Sequence, residues 1–269
     1  MLMSRQLSQG ELAAALRVIM RFGVLMLRAG AASFRTQEVM DRCAKALQID
    51  QLESYVTPTG IIASAYSGDE HRTQIMAVKQ FGVDLNRLTR LELLSRSLAS
   101  GVSPMVVHGE LDEIEKQGRI YPNWVTIGMV GLACAAFSSI VGGGVMEATA
   151  AFFGAALAQT LRMKLIHLRV SPVPLTVMCA AVATCISYGI CNVLTPIASV
   201  LGLPLTPRFG IVASVLLLVP GVPLVTATID ITRLDLVSGL ARLAYALLLL
   251  VSIAIGMLLI LVWTGLRIV

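Results

Sequence analysis

Charge is scarce in this 269-residue chain, at 14% of its residues, and it is unevenly spread. Residues 122–269 hold three acids, Glu147, Asp230 and Asp235, against seven bases. That composition excludes a water-facing globule for the second half. The three histidines, His71, His108 and His167, are far apart and offer no metal-ligand spacing. None of the five cysteines, Cys43, Cys134, Cys179, Cys185 and Cys191, forms a C-x-x-C pair, and four lie in apolar segments. They read as small buried hydrophobes, not as a disulfide framework or a metal site. A G-x-x-x-x-G-K-[ST] loop is missing, which argues against ATP-driven work by this chain. Missing too are a G-x-S-x-G elbow and a zinc-protease helix motif, so no hydrolase is indicated. Nothing calls for a cofactor, and the chain is expected not to be an enzyme. Met1 to Leu27 carries Arg5, Arg17 and Arg21, and Glu11 breaks any clean apolar core, so no cleavable signal peptide is read there.

What is present is apolar surface, with 56% hydrophobic residues. Residues 1–121 hold 14 of the 21 bases and 13 of the 16 acids. The sequence therefore predicts a small cytoplasmic α+β domain over 1–121 and a polytopic α-helical membrane domain over 122–269. The basic excess of the second half reads as topology information and not as nucleic-acid binding. In the first domain a helix is expected over Glu11–Arg28, stopped by Gly30, and another over Thr36–Leu47 with Thr36 as cap. The wide apolar face of the first helix suits either a membrane surface or its own domain core. Strands are expected over Glu53–Thr57, Ile61–Ser67 and Arg72–Lys79, then helices over Leu85–Ala99 and from Ser103-Pro104 to near Gly118.

Tyr121-Pro122-Asn123-Trp124 reads as a membrane entry, because Tyr and Trp favour the interface. Five spans follow: Trp124–Val141, Val145–Leu161, Pro172–Leu194, Phe209–Ile229 and Gly239–Leu266. The 162–169 loop carries Arg162, Lys164 and Arg169, and the 230–238 loop carries Arg233, whereas Gly142-Gly143-Gly144 is uncharged. Positive charge marks the cytoplasmic side. Parity then keeps residues 1–121 in the cytoplasm and puts Val269 outside, in the periplasm if the membrane is a bacterial inner membrane.

The fourth span is interrupted by Pro220-Gly221-Val222-Pro223. Proline removes a backbone donor, and in lipid the freed carbonyl needs a partner inside the protein. Two readings stay open: a kinked helix filled in by its neighbours, or a discontinuous helix that builds a site. In the second, Pro220, Gly221 and Pro223 shape the site and Pro223 opens a half-helix whose free N–H groups and positive end face an anion. Thr226 and Thr228 add hydroxyls. Asp230 sits at the membrane edge and is a candidate proton carrier, as is Asp235. Arg242, three residues into the last span, either snorkels to the interface, pairs with Asp230 or Asp235, or receives a substrate carboxylate. Glu147 follows the triple glycine. That places it in water at the outer surface, or, if inside the membrane, makes it a third proton-coupling candidate.

Several segments resemble the threonine/serine exporter family, and more closely the short five-span subunit of its split, two-component type associated with succinate export. They are Phe22 to Gly30, Ala44 to Ile49, Thr57-Pro58-Thr59-Gly60-Ile61-Ile62-Ala63, Tyr121 to Trp124, and Ala213 to Leu224 followed by Asp230 and Gly239-Leu240-Ala241-Arg242. Two departures stand out: Gln48 where glycine is usual, and Thr226 where asparagine is frequent. The resemblance implies an inner-membrane secondary exporter of small organic acids, with succinate or a related C4-dicarboxylate as substrate. It also implies a second, smaller membrane subunit that completes the pathway, hence a hetero-oligomer. The alternatives are an exporter subunit for threonine or serine, and a membrane-anchored sensor or enzymatic domain.

Overall fold

The computed structural model describes residues 7–78, 82–118, 120–202 and 204–265. Lys79, Leu266 and Val269, the ends of expectations made above, lie outside them. Ten α-helices and three strands are found among the described residues. Their contacts divide the chain into two units. The first comprises residues 1–118 and 221–245, the second residues 119–220 and 246–269.

The first unit opens with α1 (Gln9–Arg28). A capping box starts it: the Ser8 side chain accepts from the Glu11 N–H, and the Glu11 carboxylate accepts from the Ser8 N–H at 2.9 Å. Gly30, at φ +95°, ends it. Ala31 N–H donates to Met26 O and Gly30 N–H to Leu27 O, the paired bonds of a left-handed helix stop. The wide apolar face of α1 packs into the core of its own unit, with Leu16, Ile19, Met20, Phe22 and Met26 fully buried. Helix α2 (Ser33–Ala46) begins three residues before the expected Thr36. Its N-cap is Ala32, and Thr36 lies inside the helix with its hydroxyl donating to Ala32 O. The cap that Ala32 lacks comes from far along the chain, as described below.

Strands β1 (Gln51–Thr57), β2 (Gly60–Ser67) and β3 (Glu70–Ala77) form an antiparallel meander. Thr57 pairs with Gly60 and Ser67 with Glu70, so Pro58-Thr59 and Gly68-Asp69 are two-residue turns. Along β2 the side chains of Ile61, Ala63, Ala65 and Ser67 are buried and those between them are more exposed, the period-2 pattern of a half-covered sheet. Helices α3 (Leu85–Ser97, capped by Asp84) and α4 (Pro104–Lys116, capped by Ser103) follow. The unit is completed by α9 (Gly221–Thr232) and the first residues of α10 (Leu236–Thr264).

The second unit holds α5 (Asn123–Ile140), α6 (Val145–His167), α7 (Pro172–Leu201), α8 (Pro207–Ser214) with a 3₁₀ turn at Leu216–Leu218, and the rest of α10. By length and composition α5, α7 and α10 can each cross a membrane. The broken pair that runs from Pro207 to Thr232 makes up to a fourth span. Helix α6 is 23 residues long, but Glu147, Gln159, Arg162 and Lys164 interrupt its apolar run. Here the structure is coarser than the five expected spans. The expected 162–169 loop is mostly helix: α6 continues through His167, so Arg162 and Lys164 ride on its last turns. Small residues set the packing. A side chain at Gly154 of α6 would lie 2.9 Å from Ala183 O of α7, and one at Gly256 of α10 would overlap Val177 O. Close backbone approach through small residues is how helices associate in lipid.

Candidate substrate site

The helix break occurs where two prolines predict it. Helix α8 runs into its 3₁₀ turn, Val219 is extended, and α9 starts at Gly221. Pro223 therefore lies in the first turn of α9, where a missing N–H leaves no intrahelical bond unmade. In the second unit, the Leu217 carbonyl in this break accepts from Arg162 Nη1 at 3.5 Å. That supplies the internal partner a freed carbonyl needs.

In the first unit, Asp230 and Arg242 meet. Asp230 is fully buried. Arg242 Nε lies 3.0 Å from Asp230 Oδ2, and the Arg242 side chain is 10% exposed. The guanidinium also donates through Nη2 to the Ala31 carbonyl at 2.7 Å. Of the readings offered for Arg242, snorkelling to water is thus replaced by an ion pair inside the unit. Asp230 accepts from the Ser33 N–H at 3.1 Å through Oδ1 and from the Ser33 hydroxyl at 3.3 Å through Oδ2. This carboxylate is the missing cap of α2, and it sits at the positive end of that helix. The spacing of 197 residues explains why the sequence places a local cap at Thr36 instead.

Around this pair the fold is tightly set. Asp230 O accepts from Asp235 N–H at 2.9 Å, and Leu234 takes φ +65° to close the link between α9 and α10. Asp235 caps α10: its Oδ1 accepts from the Ser238 N–H at 3.4 Å. The buried Ser238 hydroxyl donates to Val56 O of β1 at 3.0 Å. Gly239 lets the two helices touch, since a side chain there would lie 2.9 Å from the Ile231 backbone nitrogen.

Arg242 also borders a cavity of about 220 Å³. Pro223, Thr226 and Arg242 line it, together with Val83 and with Pro58 and Thr59 of the first sheet turn. Its walls are mostly apolar. Thr226 donates its hydroxyl back to Val222 O at 2.9 Å, so it offers the cavity an acceptor. The structure thus gathers Pro223, Thr226 and Arg242 at one cavity and puts Asp230 behind Arg242. Pro220 and Gly221 form the break, and Asp235 is a helix cap. Glu147 lies in the second unit and is 2% exposed, not in water as the triple glycine predicts. Its two oxygens accept from Gly144 N–H at 2.9 Å and Thr206 N–H at 2.6 Å, so it ties two loops together. The sequence gives Ser33, Ala31, Ser238 and the Pro58-Thr59 wall no part in this site. The only signal for any of them is the Thr57–Ala63 block, which the family resemblance singles out without a role.

Residues 17–263 match the family model described as "Putative threonine/serine exporter". The chain belongs to the threonine/serine exporter family. Within that family it is 30% identical to a protein of Klebsiella aerogenes called "Probable succinate transporter subunit YjjP", over 97% of this chain and 98% of the relative. It is also 30% identical to the protein of the same name in Escherichia coli K12, over 93% of this chain and 95% of that one. No solved structure matches it. Membership makes this a membrane transport protein.

Proposed function

We propose that this exporter-family chain is one subunit of a secondary exporter of small organic acids, with succinate as substrate. In this reading the cavity beside Arg242 receives the carboxylate. The observation that carries it is a single buried guanidinium at the edge of a small, mostly apolar cavity. A guanidinium has five N–H donors, and the partners named here use only part of that capacity. The cavity, at about 220 Å³, is smaller than the ~300–1,000 Å³ of sites for drug-sized ligands. A metabolite of a few carbons fits that scale. The first turn of α9 adds the positive end of a helix. The YjjP relatives' printed names support succinate and a second subunit.

Thr226 would touch the substrate, Pro220, Gly221 and Pro223 would hold the break open, and Asp230 would couple protons, with Asp235 and Glu147 as further carriers. Five spans, residues 1–121 in the cytoplasm, a bacterial inner membrane and a smaller partner subunit complete the reading. Threonine or serine is the alternative that the family's description supports. An ionised carboxylate is the strongest partner for an amino acid's ammonium. Asp230 already serves Ser33 and Arg242, which favours a dicarboxylate.

The test is efflux from proteoliposomes that hold the full chain and its partner subunit, loaded in turn with succinate, threonine and serine, with and without a pH gradient. Succinate efflux that needs both subunits is the expected result. Efflux of threonine or serine alone would assign the alternative. No efflux of any of the three would favour the anchored sensor or enzyme.

A further inference from the structure

The site contains a residue that lies about two hundred positions away from it in sequence. Ser33 places two donors on Asp230, one on each oxygen, and both residues are fully buried. Arg242 holds Oδ2 from the other side at 3.0 Å. The remaining charged group near Asp230 among the described residues is Asp235, on the link to α10. From α2 the group facing it is Ser33, which carries no charge, and Arg233 next to α9 stacks on Phe34 with its guanidinium carbon 3.8 Å from the ring centroid. Asp230 therefore has two kinds of support, a cation on α10 and a pair of neutral donors at the start of α2.

We infer that Ser33 is a positioning residue of the transport site, which keeps the Asp230 carboxylate in place when Arg242 turns to the substrate. This rests on the reading that Arg242 receives a substrate carboxylate. Arg242 cannot serve both carboxylates with its full charge. As it shifts to the substrate, an ionised Asp230 is left without its cation in a buried place, which is costly. Two outcomes relieve that cost. Asp230 takes one proton from solvent, or it stays ionised on the Ser33 donors and the positive end of α2. Donors to the ionised form favour that form. Ser33 thus sets the pH at which the exchange occurs, and the N-terminal segment becomes a working part of the transporter.

The experiment measures succinate efflux against pH for the full chain with its partner subunit. Ser33→Ala removes the hydroxyl and keeps the N–H. Its midpoint should move to higher pH by about one unit, the scale of one hydrogen bond to a charged group, with the rate at the favoured pH retained. Ser33→Thr should restore the original midpoint. Ser33→Cys, a weaker donor of similar size, should fall between, and it keeps the comparison alive if the alanine variant folds poorly. Superimposed profiles for the serine, cysteine and alanine forms would overturn the inference. Failure of the underlying reading looks different: efflux would then persist when the charges of Asp230 and Arg242 are both removed.

Discussion

Gln48 stands at φ +60°, one residue past the C-cap Leu47 of α2. Its N–H donates to Lys45 O and the next N–H, that of Ile49, donates to Ala44 O, so the geometry is the left-handed stop that glycine usually occupies. An L side chain there is strained by roughly 1 kcal/mol. The greater freedom of glycine in the unfolded chain offsets part of that. Gln48→Gly should therefore stabilise the first unit by at most about 0.5 kcal/mol, read as a higher denaturation midpoint in detergent. Single residues were legible where their chemistry is local. Gly30 as a helix stop, Ser103-Pro104 as a start and Pro220–Pro223 as a break all follow from backbone rules. Thr36 was misread as a cap because the real one, Asp230, arrives through tertiary structure. Cys43 behaves as composition predicts: burial pushes its thiol up to about 12, so it is no nucleophile at neutral pH.

At the scale of elements, α1 and α4 are joined by charge. Arg21 Nη2 lies 2.6 Å from Asp112 and 2.7 Å from Glu115. The hydrogen bond from Arg21 holds the Asp112 carboxyl below its ordinary range. On α3, Arg96 does the same for Glu92. Both are depressed carboxyls, so their stabilisation is full above the unfolded value of about 4 and is lost as pH falls through the folded values. The double variant Asp112→Asn/Glu92→Gln should show a flatter loss of stability between roughly pH 5 and 3 than the parent chain, measured by denaturant titration at each pH. The order ααβββαα of the first seven elements was legible from periodicity and turn residues. Span number was less so. Helix α6 has the length of a span and not the apolarity, and charges assigned to its following loop ride on the helix itself. Asp235 adds a contact that its sequence neighbourhood does not announce: it caps α10.

For the whole molecule, composition groups residues 221–245 with the apolar half, and contacts group them with residues 1–118. Hydropathy cannot reveal this, because the bonds from Asp230 to Ser33, Ser238 to Val56 and Arg242 to Ala31 connect polar atoms sparsely placed in apolar sequence. The pairing of Asp230 with Arg242 was one of the options the sequence offered. The cavity wall from Pro58 and Thr59 was not. In the proposed transport cycle the guanidinium of Arg242 binds the transported carboxylate. Removing Arg242 alone would leave Asp230 buried and unpaired, a change of about 3–5 kcal/mol that confuses folding with function. The direct measurement is succinate efflux by the double variant Asp230→Asn/Arg242→Gln, reconstituted with the partner subunit in the same amount as the parent and eluting as the same species. Efflux should fall to the level of empty vesicles. Efflux at the parent rate would show that Arg242 does not bind the transported carboxylate.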